Sequence, residues 1–468
     1  DRDRAGLDSF GDDRSSRGRY VPANMSMRVS EDFQDEVQAK IDAVATGKFF
    51  QQKRDARIIP SFDIGGVTEE SAATSGSGAF CVVKEITSIT LVNDATSEAQ
   101  ESEKVLDKAS SSGDKPEKDQ KPDEDPLGSF KTKSEVRRYM SDSCQRTDDS
   151  DGTKHARYAI KVLKTSNNRK DLETGLKDIS IECQFLRHLG HSNICKMRGT
   201  AGIPLSPSFG IILDRLYQTL ESKMDQWMYE AKQFKSAGCL GCLGLGKLDS
   251  VWKKRQHVDA ITVASDISSA LRYIHSNDLV YSPKMQVRHS IWRVAPVSIL
   301  SKRNQSGFDV RGNIKIFDFG FCKELSKKLL DKKTGMYKLT RCTGSLPYMA
   351  PEVFEGKLYG KGADVFSYGV LLYEMLNFKY AFTFKTLKDY KDIIIDNKYR
   401  PSIDGAVAAR PKDLIKETWD QDPKKRPNFD RISIILKSEY YDSTSELESR
   451  SERLSNITMK SIRLRRKK

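Results

Sequence analysis

Ile314-Lys315-Ile316-Phe317-Asp318-Phe319-Gly320 decides how this chain is read. A short apolar strand runs into one carboxylate, then a bulky aromatic residue, then glycine. A hard divalent cation seeks carboxylate oxygen, and nucleotide phosphates supply its remaining ligands. Gly320 permits the backbone turn that re-aims the chain. Taken alone, the same seven residues also describe an ordinary strand-ending turn.

Two upstream segments bear on that choice. In Tyr158-Ala159-Ile160-Lys161-Val162-Leu163 the strand period places Ala159, Lys161 and Leu163 on one face. An ammonium on a largely apolar strand is costly unless it meets an anion. A lysine snorkelling from an edge strand satisfies the same hexapeptide. In Glu182-Cys183-Gln184-Phe185-Leu186-Arg187-His188-Leu189, helical spacing puts Glu182 on a stripe with Phe185, Leu186 and Leu189. That carboxylate also needs a partner. Lys161 and Glu182 account for one another, and the pair would leave the lysine oriented towards a phosphate.

Together these pieces resemble the eukaryotic-type protein kinase family: its strand lysine, its helix glutamate and its metal-binding Asp-Phe-Gly. The resemblance continues downstream and in order. Gly344-Ser345-Leu346-Pro347-Tyr348-Met349-Ala350-Pro351-Glu352 is similar to the substrate-side loop. Lys361-Gly362-Ala363-Asp364-Val365-Phe366-Ser367-Tyr368-Gly369 is similar to the start of the buried central helix. Trp419–Phe429 resembles the segment whose arginine, here Arg426, pairs with Glu352. Gly76-Ser77-Gly78-Ala79-Phe80-Cys81-Val82-Val83 is similar to the nucleotide-covering loop, with Cys81 where the family has its third glycine. Backbone N–H groups at Gly76 and Gly78 could approach phosphate. Leu213-Asp214-Arg215-Leu216 resembles the hinge, with Ile212 or a near neighbour as the gatekeeper.

The resemblance implies an α+β, two-lobed kinase fold. The N-lobe is a small antiparallel sheet with the glutamate-bearing helix, and the C-lobe is larger and mainly helical. It implies ATP and Mg2+ as cofactors and a Ser/Thr protein substrate. Lys161, Glu182 and Asp318 would be catalytic, with Asp318 the metal ligand. Gly76, Gly78, Val83, Ala159, Lys161, Asp214 and Leu216 would bind the nucleotide. Ser345 favours Ser/Thr over Tyr substrates, Thr340 and Thr343 are candidate phosphosites, and Met349–Glu352 and Arg426-Pro427 resemble the tyrosine-kinase-like group.

One segment departs from the pattern. After His275–Tyr281 the family places the Asp that handles the substrate hydroxyl and an Asn for a second magnesium. Residues 282–306 contain neither Asp nor Glu. Forced onto the family pattern, Arg293 takes the place of the base and Ser298 that of the Asn; arginine stays protonated and cannot act as a base. The catalytic base is therefore unassigned. Two explanations compete: a defect in the recorded segment of a true kinase, which is preferred, and a pseudokinase that binds nucleotide as a scaffold or allosteric partner.

The chain has 468 residues, 37% hydrophobic and 31% charged, with a net charge of +14. That suits one kinase-sized domain with polar extensions. Residues 1–56 are expected to be a disordered extension. Residues 57–440 form the kinase domain, with an N-lobe over 57–213 and a C-lobe over 217–440. A disordered insertion is expected at 93–155 and a further insertion at 229–257, followed by a charged basic tail over 441–468. Cys239 and Cys242 make a lone CxxC, read as a loop rather than a zinc site. The eight cysteines show no framework spacing, and no run approaches the ~18 apolar residues of a membrane span. A cytoplasmic protein with no membrane span is expected, with the nucleus as the alternative, and nucleic-acid binding through the tail ranks last.

Overall fold

The computed structural model describes residues 30–52, 61–67, 76–77, 80–90, 132–147, 154–164, 168–236, 246–281, 306–320, 322–339, 346–384 and 386–465. The chain divides into two compact units. The described residues begin with two helices, α1 (Glu31–Ala45) and α2 (Lys48–Gln52).

The first unit is built on a sheet of β1 (Ser61–Val67), β2 (Gly76–Ser77), β3 (Cys81–Thr90), β6 (Tyr158–Leu163), β7 (Met197–Ala201) and β8 (Gly210–Asp214). Its pairings are antiparallel apart from a short parallel contact of β1 with β7 at Ser61 and Phe62. Helix α3 (Lys133–Asp142) and the hairpin β4 (Gln145–Thr147) and β5 (Lys154–Ala156) lie between β3 and β6 in the chain. One face of the sheet, with Val82, Ile160, Val162 and Ile212, is buried together with Val136 and Met140 of α3.

The expected disordered insertion over 93–155 is therefore corrected for residues 132–147 and 154–155. Thr132 caps α3 through the Glu135 N–H at 3.2 Å, and Glu135 returns a bond to the Thr132 N–H at 3.1 Å. Val136 and Met140, one helical turn apart, then cover apolar sheet that would otherwise face water.

Helix α4 (Arg169–His188) runs from the first unit into the second. The second unit contains β9 (Gln218–Thr219), α5 (Leu220–Ser236), α6 (Gly246–Ser276), β10 (Leu279–Val280), β11 (Ser306–Phe308), β12 (Ile314–Ile316), β13 (Lys323–Glu324), β14 (Leu330–Asp331) and β15 (Met336–Tyr337). After them come α7 (Pro351–Phe354), α8 (Lys361–Asn377), α9 (Leu387–Tyr390), α10 (Ala409–Thr418) and α11 (Phe429–Arg465). Helix α8 is buried nearly end to end, so the others pack around it.

Three segments read from the sequence as an insertion, a tail and a disordered extension carry helices, which corrects the last of these for residues 31–52. Most of the 229–257 insertion is helical, because α5 and α6 extend into it; Gln256 donates to the Trp227 carbonyl at 3.1 Å between them. The 441–468 tail continues as α11 to Arg465, where Lys254 of α6 reaches Glu446 at 2.7 Å. The 1–56 extension contains α1 and α2. Phe49 and Phe50 are buried, and the Phe50 ring lies 5.2 Å from that of Phe185 and 5.0 Å from His188 on α4. The Phe49 N–H also donates to Glu324 at 3.4 Å. Phe50→Ala should cost about 3 kcal/mol in urea unfolding, the usual loss for an aromatic side chain removed from a packed site. A loss below about 1 kcal/mol would mean that α2 does not hold to α4 in solution.

Candidate active site

In the first unit, sheet register assembles one face. Gly76 pairs with Val83, Val83 with Lys161, and Lys161 with Ile211. Ala159 pairs with Glu85 and Leu213. Directly opposed residues share a face, so Val83, Ala159, Lys161 and Leu213 line one side. Ile212 belongs to the opposite, α3-covered face, while its neighbour Leu213 shares the face of Lys161. Lys161 is the one half-exposed residue of β6, where an ammonium keeps contact with water or an anion. Cys81 is buried, and Gly78 lies outside the described residues.

The hinge side chains are engaged. Arg198 forks onto Asp214 with bonds of 2.6 and 2.8 Å. Arg215 meets Glu85 at 2.5 Å, and its N–H donates to the Arg157 carbonyl at 3.1 Å. In the second unit, Leu216 is partly buried against Gly307, where an added Cβ would come within 3.0 Å of it.

Around Asp318 the second unit is tightly specified. Asp318 has φ +72°, a left-handed backbone that aspartate tolerates better than most residues but still at a cost. Phe319 is fully buried, its ring 5.2 Å from that of Tyr281. The Tyr281 hydroxyl donates to the Phe317 carbonyl, and its backbone N–H donates to Asp364 Oδ2 at 2.8 Å. Asp364, itself buried at the start of α8, also meets His275 Nε2 at 3.0 Å. Burial first, then the negative charges of Asp318 and Glu182, push the Tyr281 hydroxyl far above its ordinary pKa, so it stays a donor. Gly320 approaches α4 closely: a Cβ there would sit 3.2 Å from the Asp178 carbonyl oxygen, one turn before Glu182. Glu182 is 1% exposed.

Sequence reading missed the part played by Tyr281, Asp364 and His275. The available signal was a carboxylate, Asp364, beginning an otherwise apolar helix. Residues 282–305, Thr340, Thr343 and Ser345 lie outside the described residues, as do Cys239 and Cys242.

The substrate-side segment is moored to α8. Ser367 Oγ donates to the Tyr348 carbonyl at 2.7 Å, and the Tyr348 hydroxyl donates to Glu374. The Tyr390 hydroxyl reaches the Met349 carbonyl at 2.6 Å. The expected Arg426–Glu352 pair is present and bidentate, at 2.6 and 2.9 Å.

Among the described residues, no cluster of three His, Cys, Asp or Glu could enclose a metal ion. A half-exposed carboxylate such as Asp318 nevertheless suits magnesium, which takes one or two carboxylates and completes its shell with phosphate oxygens and water.

Comparison with known proteins agrees. The protein kinase domain family matches residues 150–441, more than half of the chain, and the chain belongs to that family. It is 26% identical over 278 residues to serine/threonine-protein kinase STY17 of Arabidopsis thaliana, covering 59% of this chain and 40% of that protein. It is 27% identical over 274 residues to STY46 of the same plant, covering 58% and 38%. A probable serine/threonine-protein kinase, drkC of Dictyostelium discoideum, is 28% identical over 274 residues, covering 58% and 30%. The chain thus spans well under half the length of these relatives. Among the described residues, no helix is long and apolar enough to cross a membrane.

Proposed function

We propose that this chain is an ATP- and magnesium-dependent protein serine/threonine kinase acting in the cytoplasm, with its kinase domain over residues 57–440. Lys161 holds the α- and β-phosphates, and Glu182 orients Lys161. Asp318 holds the cation, which when bound neutralises charge on the β- and γ-phosphates. Backbone at Gly76 and Gly78 approaches phosphate, Val83 and Ala159 pack on adenine, and hinge backbone at Asp214 and Leu216 hydrogen-bonds it. Work of this kind is positioning and charge neutralisation. The names of the relatives and Ser345 support Ser/Thr rather than Tyr as acceptor, and Met349–Glu352 supports the tyrosine-kinase-like group.

The observation that carries this reading is the anchoring of Tyr281. Its N–H on Asp364, its hydroxyl on the Phe317 carbonyl and its ring on Phe319 link the run-up to residue 282 with the Asp318 turn. The test is transfer of labelled γ-phosphate from Mg-ATP to a generic protein substrate by purified full-length protein. Phosphoserine or phosphothreonine in the acid hydrolysate is the expected result. Saturable ATP binding with no transfer would overturn it and favour the pseudokinase, to which the lack of Asp and Glu in 282–306 points.

A further inference from the structure

The stretch 322–339, between the Asp318 turn and the substrate-side segment, holds six lysines against two acids. Both acids are occupied. Asp331 closes the β14–β15 turn, accepting from the Thr334 hydroxyl at 2.7 Å and from the backbone N–H groups of Lys333 and Thr334 at 3.3 and 3.2 Å. Glu324 accepts from the Phe49 N–H at 3.4 Å. Burial pushes the Lys323 ammonium down to about 8, so Lys323 belongs to the frame. Lys327, Lys328, Lys332, Lys333 and Lys338 are exposed, and none pairs with a carboxylate among the described residues. Nearby lysines differ: Lys357 pairs with Glu355 at 2.8 Å and Lys361 with Asp278 at 2.8 Å.

The lysines sit on a fixed frame. Leu330 and Asp331 pair with Tyr337 and Met336, and the Lys338 N–H donates to the Leu329 carbonyl at 2.8 Å. Tyr337 and Tyr359 exchange two backbone bonds of 3.0 and 3.1 Å just before α8 begins. The same helix moors Tyr348 of the substrate-side segment. The basic hairpin and the loop expected to receive the acceptor residue therefore share one support.

We propose that the Lys327–Lys338 hairpin is a docking surface for acidic residues flanking the phosphorylated Ser or Thr of a protein substrate. This rests on the kinase reading above, and it specifies the substrate class. Each exposed charge adds little alone, but several of one sign on a rigid element sum to a field that steers and retains an acidic peptide. A helical or extended peptide rich in Asp and Glu fits; a basic peptide is repelled.

The test uses full-length protein and two fluorescein-labelled serine peptides, one flanked by Glu and Asp and one with those positions changed to Gln and Asn. Binding is read by fluorescence anisotropy, so it does not depend on turnover. The acidic peptide should bind more tightly than the neutral one. Raising salt from about 0.05 M to about 0.3 M should erase most of the difference. Substituting Lys327→Glu, Lys328→Glu, Lys332→Glu and Lys333→Glu together should weaken the acidic peptide about tenfold and leave the neutral one unchanged. These positions are exposed, so the melting temperature should hold. Equal binding of both peptides, or the same acidic-peptide affinity in the variant, would overturn the proposal. So would tighter, hairpin-dependent binding of a single-stranded oligonucleotide, which would reassign the surface to nucleic acid. If acidic-peptide binding is seen without phosphoryl transfer, the docking surface stands and the kinase reading fails.

Discussion

Glu352→Ala should destabilise the second unit by about 4 kcal/mol, because it strands a buried guanidinium. The Arg426 side chain is 0% exposed and that of Glu352 is 6% exposed. Besides its two bonds to Glu352, Arg426 donates to the carbonyls of Asp420 at 2.8 Å and Gly362 at 2.9 Å, and it stacks 5.0 Å over the Phe366 ring. Those contacts orient the cation but do not neutralise it. A second guanidinium, Arg400, lies 5.2 Å over the same ring. Burial, with repulsion from Arg426 added, already lowers the Arg400 pKa to about 10. Without the carboxylate, two partly desolvated cations share one aromatic ring. The urea midpoint should fall accordingly. The double variant Glu352→Ala with Arg426→Met should recover a large part of the loss, because it removes the stranded charge as well. A single-variant loss under about 1 kcal/mol would show that water reaches Arg426 and that the pair is not structural.

That pair was expected from the family resemblance, whereas Lys161, Glu182 and Asp318 stand out in the sequence for a physical reason. Each is a charged residue set in an apolar element, and such a residue demands a specific partner or ligand. The helices outside the motifs were not legible. α3 offers only Val136 and Met140 as an apolar stripe, and its stability comes from a sheet face assembled from strands far away in sequence. α2 is likewise fixed by tertiary contact, through Phe49 and Phe50. The charged end of α11 reads as a tail until Lys254, from nearly two hundred residues earlier, pairs with Glu446. The choice between Ile212 and its neighbour stayed open in the sequence for another reason. Ile211-Ile212-Leu213 is a continuous apolar run without alternation, so only the pairing of Leu213 with Ala159 tells the two faces apart. Tyr281 escaped notice because two of its three anchors are main-chain groups, its own N–H and the Phe317 carbonyl.

Asp318→Asn should reduce phosphoryl transfer by about 10^3-fold while leaving the fold intact, and that separation makes it diagnostic. Asp318 is partly exposed, and several contacts that fix the turn use other groups: the Phe317 carbonyl, the Phe319 ring and the close approach of Gly320 to α4. Asparagine has the same shape and tolerates the left-handed backbone at φ +72° equally well. Stability should therefore change little, by about 1 kcal/mol or less. Removing the negative charge takes away one of the influences holding the Tyr281 hydroxyl protonated, but burial is the larger one, so Tyr281 remains a donor at neutral pH. What is lost is anionic oxygen for a hard cation, which an amide replaces poorly. ATP affinity measured without magnesium should match the parent, and its enhancement by magnesium should disappear. Lys161→Met should act in the complementary way, weakening nucleotide binding with or without the metal. Transfer by Asp318→Asn within tenfold of the parent, with an unchanged response to magnesium, would place the cation elsewhere and remove Asp318 from the active site.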